Sequence, residues 1–382
     1  MDNNKIISII SQFKSLFRKV PSPETENEEN ELPTEIASSL KKAIKNLPCH
    51  PKYITTIQST LKEALSEWQE NPEGNELVIL SNYVEPLSEI IQIALADWSY
   101  ENVEQTKLLS WSNRPTDCLK IIPQLQKELE LSANLNIDNN PGNFHELVVI
   151  PCLEFCFLRH IQGLDGIEFL RNRIFQDRSR FWLIGCNTLT WQYLDQIYKI
   201  NSYFEKTLSL PNVEGAELQE WLAHVIDKLE FSSSKETTEK QTAKIQDYFD
   251  NLSNIAKGSS VVAAQLWLTS LTIANIENVN TEPETEQPIL VKYNKPKLLD
   301  LPELTAEDRY LLFSMLLHKE INLSQLALSL GESESAIQFQ IQKLLDQGVI
   351  QRCNNFLIVH PAHYPKLLKH LKKYNFITDL IE

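Results

Sequence analysis

Apolar residues recur along this chain in two rhythms, and the switch between them marks out its parts. Over 34–46 and 54–70 they return every three to four positions, the spacing of helices with one buried face. From Asn75 the rhythm shortens to brief apolar runs with helical segments between them. Five runs predict strands: Leu77–Asn82 (LVILSN), Lys107–Ser112 (KLLSWS), Leu147–Pro151 (LVVIP), Phe181–Gly185 (FWLIG) and Thr207–Pro211 (TLSLP). The first, third and fourth are almost uninterrupted, as expected of central strands covered on both faces. Strands alternating with helices predict a parallel sheet in an α/β domain. The helix after the first run carries its stripe at Leu87, Ile90, Ile91, Ala94, Leu95 and Trp98.

Beyond Pro211 the strand signal stops, and 215–276 reads as helices only, anchored by residues such as Leu218, Leu222, Phe249, Leu252, Val262, Leu266 and Trp267. A connector rich in proline and glutamate, 281–302, leads to the last stretch. There Thr305 caps a helix running to about Lys319, with Asp308 placed for a capping box. The run LSQLALSL gives a second helix, closed by Gly331 in a left-handed turn. Ser333 caps a third, which buries Ile337, Ile341, Leu344 and Leu345. VIQR and FLIV follow as two strands joined by Cys353, Asn354 and Asn355, and Pro361–Tyr374 is a final helix. The expected parts are an amphipathic segment with an acidic linker (1–32), a helical extension (33–74), the α/β domain (75–212), a helical lid-like domain (213–280), a linker (281–302) and a C-terminal domain (303–382).

The first twenty residues place Ile6, Ile9, Ile10, Phe13, Leu16 and Phe17 on one helical face beside Lys5, Lys14, Arg18 and Lys19. Such a segment suits a membrane surface, a partner's groove or the flank of its own domain. The glutamate-rich stretch SPETENEENELP after it reads as a solvated linker.

Charge narrows the partners. A net charge of -15 over 382 residues opposes general binding to nucleic acid or anionic membrane, so any such contact must be local. The six cysteines lie in apolar contexts without a CxxC pair, which predicts buried thiols in a reducing cytoplasm. Cys152, Cys156 and His160 have the spacing of one helix face, and apolar helix positions explain them better than metal ligation does. No run is long enough to cross a bilayer and no signal peptide is evident, so a cytoplasmic location is expected.

The order of strand, helix, strand, two apolar strands, short fifth strand, helical segment and winged helix resembles AAA-type ATPases that end in a winged helix. The likeness covers Asn75 to Glu382. It implies a five-stranded parallel P-loop-type sheet with a helical lid, and a nucleotide site using ATP and magnesium. Residues 303–382 resemble the winged helix of MarR-type regulators. The motifs, however, are degraded. A phosphate loop needs glycines to wrap the phosphates, a lysine and a hydroxyl for magnesium. Its equivalent is Ser81, Asn82, Tyr83, Val84, Glu85 and Pro86, without glycine or lysine. Glu85 and Glu89 oppose a phosphate, each by about 4 kcal/mol at contact distance in an effective dielectric near 20, and Pro86 removes a donor.

At the third strand only Glu154 survives where the resemblance implies acidic residues for magnesium and water. Asn187 falls where it implies a polar sensor of the terminal phosphate, a place equally suited to a helix cap. The lid-like stretch 256–267 (AKGSSVVAAQLW) lacks the arginine often found there. Arg171, Arg173, Arg178 and Arg180 read as a solvated face rather than an arginine finger, and Trp182, Trp191 and Trp267 as core.

The expectation is therefore a degenerate AAA-like protein with a vestigial nucleotide site at Ser81, Asn82, Glu85, Glu154 and Asn187. No catalytic residue, metal or cofactor is assigned, and ATP with magnesium is disfavoured. The chain is expected to act as a scaffold that binds a protein partner through its winged helix. The first alternative is a DNA-binding regulator reading duplex DNA with Ser335, Gln338, Gln342, Lys343 and Arg352. That face holds only two cations, with Glu334 and Asp346 opposing them, whereas phosphate neutralisation dominates DNA affinity. The second alternative is an active NTPase with an atypical loop.

Overall fold

The computed structural model describes residues 32–376 except 72, 101, 102, 104, 110, 112, 131–145, 227–229, 232–237 and 274–289. The amphipathic segment at 1–20 and most of its acidic linker lie outside the described residues. The chain forms two compact units, a larger one of 48–214, 253–265 and 298–382 and a smaller one of 1–47, 215–252 and 266–297. These limits differ from the sequence boundaries. The two helices of the expected extension, α1 (Thr34–Lys45) and α2 (Pro51–Glu70), belong to different units.

In the larger unit, α2 precedes β1 (Glu76–Ser81), whose six residues are all buried, and α3 (Leu87–Ala96) follows. Next come β2 (Gln105–Leu108), α4 (Ile121–Glu130), β3 (Glu146–Ile150), α5 (Asp165–Gln176), β4 (Arg180–Asn187), α6 (Thr188–Tyr198) and β5 (Thr207–Ser209). The sheet order is β2-β3-β4-β1-β5, every pairing parallel. Four strands carry four residues or more; the fifth is a three-residue edge pairing Val78 to Leu80 of β1 with Thr207 to Ser209. The predicted strand at 107–112 sits earlier, at 105–108, where Gln105 to Leu108 match Glu146 to Val149 of β3. Tertiary pairing, rather than the local apolar run, sets that register. The tryptophans do pack the core: Trp182, Trp191 and Trp267 are at most 2 % exposed, and α2 lays Trp68 against Phe181 of β4.

Sequence order reverses at β1, which lies between β4 and β5. In open parallel sheets such a switch opens a crevice beyond the carboxyl ends of the strands, where ligands bind. The same unit also contains the start of a later helix. Gly258, at φ 70°, turns the chain where a Cβ would lie 2.4 Å from the Asn212 Cβ, and α9 (Ser260–Ser270) begins two residues on.

The C-terminal part of the larger unit is three helices, a hairpin and a helix. α10 (Ala306–His318) starts from the expected Thr305–Asp308 capping box, and a second box, Asn322 with Gln325, starts α11 (Leu323–Leu330). Gly331 closes α11 at φ 74°. Ser333 caps α12 (Glu334–Asp346). β9 (Ile350–Cys353) and β10 (Phe356–Val359) pair antiparallel around Asn354 at φ 54°. The last helix, α13 (Tyr364–Lys373), is preceded by a tight turn over Pro361–His363.

The smaller unit corrects the expectation of helices alone. Besides α1, α7 (Gly215–Ile226) and most of α8 (Thr238–Ala256), it holds β6 (Glu230–Phe231), β7 (Leu271–Ile273) and β8 (Leu290–Tyr293) in the order β6-β8-β7. These strands are two to four residues long. β7 follows α9 (Ser260–Ser270) without a break, so its apolar residues read as a last helical turn. β8 falls inside the expected linker.

Candidate functional site

The residues singled out from the sequence lie at the carboxyl ends of β1, β3 and β4, and their polar groups are spent on neighbouring groups of the protein. β1 ends at Ser81, paired with Asn187 at the end of β4. The Thr188 hydroxyl donates to the Ser81 carbonyl at 3.0 Å. Asn82 then folds the loop onto itself, its Oδ1 accepting from the N–H groups of Val84 and Glu85, both at 3.1 Å. The Tyr83 N–H donates to the Tyr364 hydroxyl at 3.3 Å, Pro86 has no N–H, and the Leu87 N–H turns back to the Glu85 carbonyl at 2.8 Å. From Tyr83 to Leu87, every backbone donor of the loop is taken. A phosphate loop works because its donors are free.

Glu85 turns its side chain inward. It is 2 % exposed, and its Oε1 accepts from the Ser259 hydroxyl at 2.7 Å and the Val261 N–H at 3.3 Å, while Oε2 accepts from the Ser260 hydroxyl at 3.0 Å. The carboxylate thus sits on the N-terminus of α9, where unpaired N–H groups and the helix dipole favour an anion. Tyr53 lies beside it, its phenol pushed up by burial and then by the Glu85 charge.

Glu154 is not on β3 but in the tight turn Leu153–Cys156 just after it, 2 % exposed. Its Oε1 accepts from the Asn187 N–H at 2.5 Å and its Oε2 from the Cys152 thiol at 3.1 Å. Asn187 is a helix cap: its Oδ1 accepts from the Thr190 N–H at 2.9 Å, and its amide donates to the Thr190 hydroxyl and the Leu316 carbonyl. Cys152 and Cys156 are buried, with their thiols pushed up by desolvation.

The C-terminal helices close the crevice within this same unit. The Tyr83 hydroxyl donates to the Lys319 carbonyl at 2.8 Å and accepts from the Val359 N–H at 3.0 Å. Lys319 returns its ammonium to the Glu85 carbonyl. Arg114, 2 % exposed, donates to the carbonyls of Glu154 and Phe157 at 2.6 Å and of His318 at 3.1 Å. Burial lowers that guanidinium to about 10. His318 is fully buried; its Nδ1 donates to the Ser314 carbonyl at 2.7 Å and its Nε2 accepts from the Arg159 N–H at 2.9 Å. Desolvation, then the Arg114 charge, holds it well below the usual imidazole range.

None of Tyr83, Arg114, His318, Lys319, Ser259, Ser260 or Tyr364 was marked as a site residue from sequence. The only local signal was the Gly-Ser-Ser start of the lid-like helix.

Of the residues expected on a DNA-reading face, Ser335, Gln338, Gln342 and Arg352 are exposed. Lys343 is half-buried and paired with Asp308 at 2.8 Å, and Gln342 bonds Asp346 at 2.7 Å. Phe339, between them on α12, is 78 % exposed. The arginines of the middle region are structural: Arg180 is buried against Glu146 at 2.6 Å and Asp177 at 3.3 Å, Arg173 pairs with Asp177, and Arg171 with Glu168 and the Tyr203 ring.

No protein-family model and no curated protein matches the chain. Among solved structures, a variant RuvB of Thermotoga maritima is 17% identical, over 83% of this chain and 94% of that one, with a TM-score of 0.29. Cdc6p from Pyrobaculum aerophilum is 11% identical over 93% and 98%, with a TM-score of 0.32. The AAA domain of FIGL-1 in complex with ADP is 13% identical over 69% and 78%, with a TM-score of 0.30. Overlap this slight decides nothing about what the chain does. Among the described residues no helix is long and apolar enough to cross a membrane.

Proposed function

We propose that this chain is a non-catalytic, AAA-like protein whose nucleotide crevice has become a structural joint, and that it acts as a scaffold contacting other proteins through its C-terminal winged helix. One observation supports the reading above all others: from Tyr83 to Leu87, where a phosphate loop would offer its donors, each backbone N–H is already bonded within the protein. Glu85 adds a buried negative charge at the α9 N-terminus, and the other vestigial residues, Glu154 and Asn187, are each committed to a neighbour. A nucleotide would have to break these contacts and leave buried donors unpaired, at about 1–3 kcal/mol each.

The test is thermal unfolding with and without ATP and magnesium. A ligand at a hundred times its dissociation constant adds about 2.7 kcal/mol of stability. The expected result is an unchanged Tm at millimolar nucleotide; a rise of several degrees would reject the reading.

The DNA-binding alternative loses its central cation to Asp308 and gains an exposed phenylalanine in the middle of the reading helix. Both changes favour a protein partner. Affinity for duplex DNA falling steeply with salt would reverse that preference.

A further inference from the structure

Beside the closed crevice, α10, the end of α11 and α12 frame a groove of about 430 Å³, with Arg159 contributing from the larger unit's earlier part. Its floor is Leu311 and Ile337, both buried, and its wall is Leu330; Tyr310, 52 % exposed, stands on the rim. The rim also carries Glu307 and Glu332, both exposed, which pair with no cation among the described residues. The Glu307 carboxyl is held below the usual range by its own backbone N–H and the Thr305 hydroxyl, so it stays charged at neutral pH. Arg159 pairs with neither carboxylate: its guanidinium donates to the Ser329 carbonyl at 3.2 Å and its backbone N–H to His318, so its single positive charge stays in the lining against the two negative ones. Phe339, next to the lining residue Gln340 on α12, offers a large exposed apolar surface.

We infer that this groove docks an amphipathic helix of a partner protein, with leucine-like residues at helical spacing and lysine or arginine flanking them. This deepens the scaffold reading and rests on it. An apolar floor suits the anchors of such a helix, and two carboxylates against one guanidinium leave the lining net negative, which favours its cations while repelling nucleic-acid phosphates and anionic lipid headgroups. Tyr310 is of a residue type enriched among the side chains that carry binding energy once a partner buries them.

The test is fluorescence anisotropy of two labelled synthetic peptides against the full chain. One peptide has leucine at helical spacing with lysine elsewhere; the other replaces each lysine with glutamate. Micromolar binding of the lysine peptide and none of the glutamate peptide is expected. The double variant Glu307→Lys with Glu332→Lys, and separately Phe339→Ser, should each weaken binding about tenfold or more. Asp97→Lys, at the end of α3, should leave it unchanged, with circular dichroism confirming the fold of all variants. Equal binding of both peptides, retained affinity in the rim variants, or an equal loss in Asp97→Lys would overturn the assignment. So would absence of peptide binding; if salt-dependent duplex DNA binding accompanies it, the scaffold reading falls as well, and if not, only the groove assignment falls. Failure of the closed-crevice reading registers separately, as nucleotide binding, which the rim variants do not touch.

Discussion

Glu85 carries the account at the scale of single residues. Its carboxylate satisfies two serine hydroxyls and the Val261 N–H in a site with almost no solvent. Glu85→Ala should therefore destabilise the fold by about 3 kcal/mol, since it leaves those donors buried and unpaired; Glu85→Gln, which keeps an acceptor, should cost less. Urea unfolding checks both. His318 makes a second prediction. It is buried neutral, with Nε2 accepting from the Arg159 N–H, so the unfolded chain binds the extra proton first. Its contribution is present above pH 6.5, the ordinary value, and is lost as pH falls below that toward its depressed folded value, by up to about 1.4 kcal/mol per pH unit. The Tm of the protein should drop between pH 7 and pH 5.5, and His318→Gln should flatten that slope.

Elements show how far a sequence can be read and where reading stops. β1, β3 and β4 were legible because buried central strands are nearly unbroken apolar runs, and the capping box of α10 because it is local chemistry. β7 and β8 were not, since β7 continues α9 without a break and β8 lies in a connector rich in proline and glutamate. The ends of β1 and β4 at Ser81 and Asn187 can be placed from the sequence because strand ends are visible in the pattern. Their partners were hidden: Tyr83 meets Lys319 across 236 positions, and no local rule encodes such a pairing. The turn before α9 gives this scale its prediction. Gly258→Ala forces a Cβ onto Asn212 at a positive φ, so it should cost more than about 1 kcal/mol and lower the urea midpoint without changing the slope.

At the scale of the molecule, the buried links from Tyr83, Arg114 and Lys319 tie the parallel sheet and the C-terminal helices into one body within the larger unit. Tyr83→Phe leaves the Val359 N–H unpaired, and Tyr364→Phe removes the acceptor of the Tyr83 N–H. Each should cost about 1–3 kcal/mol, and the double variant should depart from additivity because the two share one network. Sheet and helices should still unfold in a single transition. On the proposed reading these links stand in place of a nucleotide site, so the central claim is tested most directly by calorimetric titration of the full chain with ATP and magnesium. The account predicts no saturable heat up to millimolar nucleotide; a saturable isotherm with a micromolar Kd would contradict it.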